Sequence, residues 1–470
     1  MTGHLAFFVV ILAVALRAVL ALRNGGFDRS VISAIGLFIY GFCMWLPAYL
    51  QNQGSLDSKL QDAGFLAPPT ATEFDQLAFL WATELAVLVC AEIAGAFFYG
   101  VLNRRNPRFS AVAVGIQQTA YRTSSVSGLT APDESWRNSK KISFILLLIG
   151  FAATMLFSTS GLESRGLGGQ GIQILLRTCL VSGLAMLVFF RCFSSKVCVA
   201  LLLSGTAFLF ISNVRSPLVV LFLAYIASEI ARRRNGFSLK RSGLILGLVV
   251  LVALVGSFMS TMRANITRNY GQSVGEVLSQ TLSDPLIAIY SSGIDTLDGY
   301  RFSAAIARVE PSRPSDLLLI VLTFIPRSVW PDKPNSLSVD LSAKYLGYNS
   351  SGQFLSPMGY LNLVWGSYGV ALLSLFVFGL VFSMLMSRFR STFWTCLLLV
   401  VVFRFLLGGS SFDVYYGIVL AAPVFVVKSI VDSMQRQQGQ LQFRQVTPTG
   451  HRSATGWRID AMPRAKLDSK

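Results

Sequence analysis

Apolar runs about as long as a bilayer is thick recur along this chain, and nothing limits its fold more. The first, "LAFFVVILAVALRAVLAL", fills residues 5–22. Roughly 20 such residues, wound as a helix, cross a hydrocarbon layer of ~30 Å with every backbone group bonded internally. Further runs lie at about 31–50, 77–101, 142–158, 173–190, 197–212, 216–230, 242–259, 360–386, 393–408 and 415–431. The expectation is an all-α polytopic membrane protein of about 11 transmembrane helices. Composition agrees, with 53% of the 470 residues apolar and 13% charged, roughly half the charge of a soluble domain. The first run follows "MTGH", with no charged n-region and no A-x-A site, so it reads as a retained helix rather than a cleaved signal.

Basic residues orient the bundle. Alternate connections carry "RNGGFDR", the stretch from "NRRNPRF" to "NSKK", "RCFSSK", "RRRNGFSLKR", "SRFR" and the tail after Lys428. The other connections are acidic or nearly neutral, with Asp57, Asp62, Glu73 and Asp75 beside Lys59, then "TSGLESRGLGGQG" and "GSSFDVY". Lysine and arginine collect on the cytoplasmic side, which puts the N-terminus outside and the tail in the cytoplasm. The net charge of +17 is then mostly a topology signal. Nucleic acid is excluded as a partner, because the basic residues are scattered over six loops instead of lining one groove.

Residues 1–259 hold eight spans, 359–431 three more, and 432–470 a basic tail of disordered composition. Between them, 260–358 forms a large external loop with eight basic and eight acidic residues. "SVGEVLSQTL" and "PLIAIYSSGIDTL" within it have helical patterns, so the loop is expected to be folded. Its apolar "DLLLIVLTFI" is too short to span and fits a re-entrant or interfacial piece.

Absent motifs narrow the chemistry. The chain has no GxSxG, HExxH, P-loop, D-x-D or GxGxxG opening a helix. Its six cysteines fall mostly inside apolar runs without CxxC or Cys/His spacing, and its two histidines are His4 and His451. Neither a disulfide framework, a metal nor another cofactor is expected. What remains is arginine toward the outer face: Arg215, Arg263, Arg301 and Arg327, with Arg404 and Arg177 inside apolar runs. A planar guanidinium grips phosphate oxygens in pairs, so the set points to a lipid-linked phosphate or diphosphate, against structural ion pairs as the plainer use. "SPMGY" adds a helix start, with Ser356 as N-cap and Pro357 in the first position, whose free N–H groups suit an anion.

"FIPRSVWPDKP" (324–334), then "FLSPMGYLNLVWGSYG" and an upstream "RSP", resembles the Wzy-type polymerases of O-antigen and enterobacterial common antigen. The matching residues are Ile325, Pro326, Arg327, Trp330, Pro331, Lys333, Pro334, Ser356, Pro357, Gly359, Gly366, Gly369 and Arg215. Residues 200–410 share the layout, and the first 190 match only as hydrophobic spans.

That resemblance implies a C-type glycosyltransferase architecture in the bacterial inner membrane. It implies transfer of a growing glycan from undecaprenyl diphosphate to the terminal sugar of a new lipid-linked repeat unit, in lipopolysaccharide or exopolysaccharide synthesis. A chain-length-determining membrane protein would be a partner beside the bilayer. Arg327, Arg215 and Arg263 would stabilise the leaving diphosphate, with Lys333, Arg301, Trp330, Ser356 and Arg404 binding substrate. The base is open among Asp295, Asp298, Asp340, Asp413 and Glu163, and Asp295 is favoured because it precedes Arg301 in the loop.

Two alternatives compete. O-antigen ligases carry a histidine in the large outer loop, which this chain lacks. A flippase for lipid-linked oligosaccharide would use Glu84 and Glu92 as intramembrane ion sites, but no internal repeat supports it.

Overall fold

The computed structural model describes residues 2–23, 30–52, 66–105, 134–156, 171–190, 273–347 (without 284, 324 and 326–328), 355–388 and 392–423 (without 412). Short pieces and single residues between 196 and 258 and beyond 423 are also described. Residues Met1–Val427 form one compact unit and Lys428–Lys470 a second; the helices below belong to the first. The expected spans at 197–212, 216–230 and 242–259 lie largely outside the described residues.

The protein is a helical membrane protein, with no strand among the described residues. Helix α1 spans Thr2–Arg23, α2 Val31–Asn52, α3 Ala71–Arg105, α4 Glu134–Leu156 and α5 Gly171–Phe189. Among the described residues, four stretches are long and apolar enough to cross a membrane: Thr2–Ala21, Val31–Asn52, Ala71–Leu102 and Tyr368–Ser387. Lys141–Leu156 and Thr178–Phe189 are shorter apolar helices. Their outward faces stay apolar, with Leu12, Leu148 and Met155 exposed, as contact with lipid instead of water requires.

The first helices alternate in direction. Gly3 and His4 donate to Asp75 at one end of α3, and Arg17 reaches the Val89 carbonyl further along, so α1 and α3 run parallel. Helix α2 runs against them, its start bonded to Glu92 and its Trp45 ring beside Phe74. It widens into a π-helical stretch at Phe38–Trp45. Pro47 follows two residues later; it cannot donate to the Cys43 carbonyl and its ring crowds that oxygen, a conflict that a wider turn relieves. Helices α4 and α5 pair antiparallel, and Gly150 lets them close until a Cβ there would lie 2.6 Å from the Leu180 Cα.

Glu92 has a partner for each oxygen. Oε1 accepts from the Ile32 N–H at 3.0 Å and Oε2 from the Ser33 hydroxyl at 2.5 Å, with Arg17 at 3.5 Å. The carboxylate of one helix thus caps the N-terminus of its neighbour, where the dipole favours an anion.

The segment after residue 273 supplies α6 (Val274–Ser283), α7 (Pro285–Ile306), a 3-10 turn (Pro314–Leu318), one α-turn (Leu319–Leu322) and α8 (Leu337–Leu346). Both helical patterns expected there are present. Ser273 and Glu276 cap α6 reciprocally. Helix α7 is seated against the bundle, since Tyr290 accepts from Gln51 and Tyr300 donates to Glu84 at 2.6 Å.

The single span expected at 360–386 is two helices, α9 (Pro357–Trp365) and α10 (Tyr368–Arg388). Gly366 ends α9 in the left-handed region, φ 67°, and its N–H returns to the Asn362 carbonyl. Glycine takes that conformation without steric cost, and the chain reverses although the apolar run is unbroken. Helix α10 packs parallel to α3, with Ser383 donating to the Glu92 carbonyl at 2.9 Å. Helix α11 (Thr392–Gly408) and a last helical stretch, 413–423, complete the described bundle.

Candidate functional site

One cluster of buried polar side chains lies where α9 begins and α11 ends. Ser356 is the N-cap of α9; its hydroxyl accepts from Gly359 N–H at 3.1 Å and Pro357 follows it, as the sequence predicts. Its backbone is at φ 61°, ψ 158°, the one positive φ outside glycine among the described residues. That region is essentially glycine-only and costs about 1–3 kcal/mol. Gly409, itself at φ 77°, lies flat against the Ser356 carbonyl, and the Leu355 N–H donates to Gly408 at 3.2 Å. From α7, the Ser303 hydroxyl donates to the Leu355 carbonyl at 2.9 Å.

The junction is recessed. Helices α9 and α10, joined by two residues, form an antiparallel hairpin. The Phe378 and Phe405 rings, 4.1 Å apart, fix α10 and α11 at one level. With a rise of about 1.5 Å per residue, Tyr368 lies ~15 Å from that level and Gly408 ~4.5 Å. The N-terminus of α9 is therefore about 10 Å in from the Tyr368 end of α10.

Around it stand three buried charged groups. Arg404 donates to Asp413 at 2.9 Å and lies 4.7 Å from the centre of the Tyr416 ring. Asp413 also accepts from the Ser410 hydroxyl at 2.6 Å and returns its N–H to it, closing a capping box at the start of 413–423. Asp316, on the 3-10 turn, accepts from Leu337 N–H at 2.7 Å, Tyr360 at 2.7 Å and Ser411 at 2.8 Å. Burial pushes its carboxyl above the ordinary carboxylate range, and the three donors pull it part of the way back. Asp316 had no role in the sequence reading. Its local signal is only a short acid behind Pro314 ahead of an apolar run, whereas its partners come from three distant segments.

The sequence-expected residues divide accordingly. Ser356 lies at this junction, and Arg404 is four residues before the Gly408 carbonyl that holds Leu355. Arg404 is paired with Asp413, so it is not a free cation, although its Nε is buried without a partner. Arg301 spends its fork on Glu73, at 3.0 and 3.3 Å, and on the Ala67 carbonyl at 2.6 Å, tying α7 to the start of α3. Lys333 is buried, its ammonium donating to the carbonyls of Thr323 at 3.1 Å and Ile325 at 3.0 Å. Trp330 is half-buried nearby. Arg327, Arg215, Arg263 and Glu163 lie outside the described residues, as does the Arg177 side chain. Asp295 is on α7, its side chain likewise outside. Asp340 pairs with Arg313 at 2.5 Å, and Asp298 lies 3.9 Å from Arg301.

Glu84, in the middle of α3, is fully buried, and its Oε1 accepts from Tyr300 at 2.6 Å and Tyr368 at 3.2 Å. Two tyrosines on distant segments thereby hold α7 and the start of α10 to one oxygen. No group of three metal-ligating side chains occurs among the described residues. No family model matches the chain, and no curated protein or solved structure matches it.

Proposed function

We propose that this chain is a polysaccharide polymerase of a bacterial inner membrane, with its N-terminus and the α7–α9 region on the periplasmic side and its tail in the cytoplasm. It moves a growing glycan from undecaprenyl diphosphate to the terminal sugar hydroxyl of a new lipid-linked repeat unit. A bond forms between that hydroxyl oxygen and the donor's anomeric carbon, the bond to the diphosphate breaks, and the hydroxyl proton passes to a carboxylate.

The observation that carries this reading is the recessed N-terminus of α9, headed by a strained Ser356 packed on Gly409, with the Arg404–Asp413 pair on the far side of Gly408. The positive dipole end of α9, held below the end of α10, suits the charge that grows on a leaving diphosphate. Arg327, Arg215 and Arg263 would complete the clamp. The base would be Asp295, ~12 Å along α7 from Ser303, which touches the junction. Glu92 favours this reading over a flippase, since its partners are those of a helix cap.

A strain lacking the protein, examined for its lipopolysaccharide, separates the readings. Core bearing a single repeat unit is the expected result. Bare core with polymer left on the carrier lipid would identify a ligase, and core without either a flippase. In the complemented strain, Arg327→Ala should abolish the polymer ladder at unchanged protein level, because one preorganised charge at a developing anion is worth ~10²–10³ in rate. Arg327→Lys should rescue poorly, since an ammonium lacks the planar fork. A normal ladder from Arg327→Ala would refute the assigned role.

A further inference from the structure

The run "DLLLIVLTFI" folds as the 3-10 turn and α-turn between Pro314 and Leu322, and it does not turn its apolar side chains wholly inward. Asp316 and Leu319 are buried, whereas Leu318 is 62% and Val321 70% exposed. Exposed aliphatic side chains are common singly on soluble proteins, so depth has to decide what faces these two.

Asp316 provides the depth. Its carboxylate is held by Tyr360 and Ser411, within one side chain's reach of the junction that lies about 10 Å in from the end of α10. Toward that same end, the outward apolar surface of α3 continues past Glu84, the partner of Tyr368, to Phe79, 57% exposed and ~7 Å further. Beside it, α1 exposes Leu5 and Phe8. The lipid-facing belt therefore extends beyond the level of Asp316, and Leu318 follows Asp316 by two residues.

The backbone gives an independent indication. In hydrocarbon an unpaired carbonyl is costly, and irregular chain survives there only where protein satisfies it. Here Thr323 returns its N–H at 3.0 Å and its hydroxyl to the Leu319 carbonyl, and Ile325 donates to Leu322 at 3.0 Å. The buried Lys333 ammonium takes the Thr323 and Ile325 carbonyls. Charges stand at the two ends, Arg313 before the turn and the exposed Asp332 after it. Those carbonyls are thus met by the protein itself, the condition that hydrocarbon imposes.

We infer that residues 317–322 form a wedge inserted in the margin of the bilayer, with Leu318 and Val321 against lipid acyl chains. This surface binds lipid whatever reaction the bundle carries out, and it moves part of the expected external loop into the membrane.

The test uses the full-length protein in nanodiscs of phosphatidylethanolamine and phosphatidylglycerol, both faces accessible. Leu318→Cys and Val321→Cys are compared with Val309→Cys, an equally exposed position beside Arg308 and the Glu310–Lys344 pair. A charged maleimide is added, and each site is quantified by its own peptide so that native cysteines do not interfere. A thiol in hydrocarbon does not ionise, so labelling at 318 and 321 should be more than ~tenfold slower than at 309. Rates within about twofold of each other at all three would place the turn in water and overturn the inference. Nitroxides at the same positions supply the second measurement. Oxygen should broaden 318 and 321 more than a water-soluble nickel chelate does, and the reverse order would also overturn it.

Discussion

Arg404 and Asp413 allow a double-mutant cycle whose corners separate charge burial from catalysis. Both residues are about 95% buried or more, so removing one leaves the other as an uncompensated charge, at a cost of ~3–5 kcal/mol. Arg404→Met should fall in that range. Asp413→Asn should cost less, ~2–3 kcal/mol, because an amide oxygen still accepts from Ser410 while the guanidinium loses its counter-charge. The double variant leaves neither charge of the pair and should recover most of the loss, so that the coupling is the greater part of the two single losses added together. Resistance of the purified protein to a graded denaturing detergent reads the stability of each corner, and the polymer ladder reads function. If Arg404 serves the anion, the double variant regains stability and still makes no polymer. A double variant that regains both would refute the catalytic part and leave the pair as scaffold. Additive losses would refute the pairing itself.

Two further substitutions probe the same junction. Ser356→Gly should stabilise the protein by about 1–2 kcal/mol, since relief of the backbone strain exceeds the few tenths lost with the cap; a destabilised glycine variant in the same detergent assay would show that the conformation carries no strain. Glu84→Gln keeps the oxygen that Tyr300 and Tyr368 share and should retain protein and polymer, whereas Glu84→Leu should lose folded protein on an immunoblot; a glutamine variant as defective as leucine would make the ionisable proton, not the acceptor, the essential property.

Much of the bundle can be read from sequence because its cause is local. Apolar runs near bilayer length become helices whatever lies beside them, and α1, α2 and α3 appear within a few residues of the expected positions. The Ser356–Pro357 start of α9 is equally local, two adjacent residues setting a cap and a first turn. The break at Gly366 was hidden inside a continuous apolar run, since hydropathy weighs side chains and is blind to a backbone φ. Asp316 and Glu92 were beyond reach for another reason. Their donors come from 21 to 95 and from 59 to 60 residues away, and no periodicity encodes which carboxylate meets which hydroxyl. Arg301 and Arg404 show the converse. The residue type is legible in the sequence, but the acid that neutralises each is a tertiary fact.

Glu84 has a consequence for how the protein is made. Tyr300 and Tyr368 follow it by 216 and 284 residues, whereas Tyr40 of α2, the third tyrosine against this carboxyl, precedes it, so α3 enters the membrane with one of its three tyrosines already made. At roughly 5–20 residues per second, the wait for Tyr368 is about 15–60 s. During that interval Tyr40 of the neighbouring α2 is the tyrosine already present beside the acid, which makes the α2–α3 pair the form in which a buried carboxyl can wait in the bilayer. Tyr300 and Tyr368 then close on the same carboxyl, so the segment made late in synthesis is fastened to a pair of helices made early.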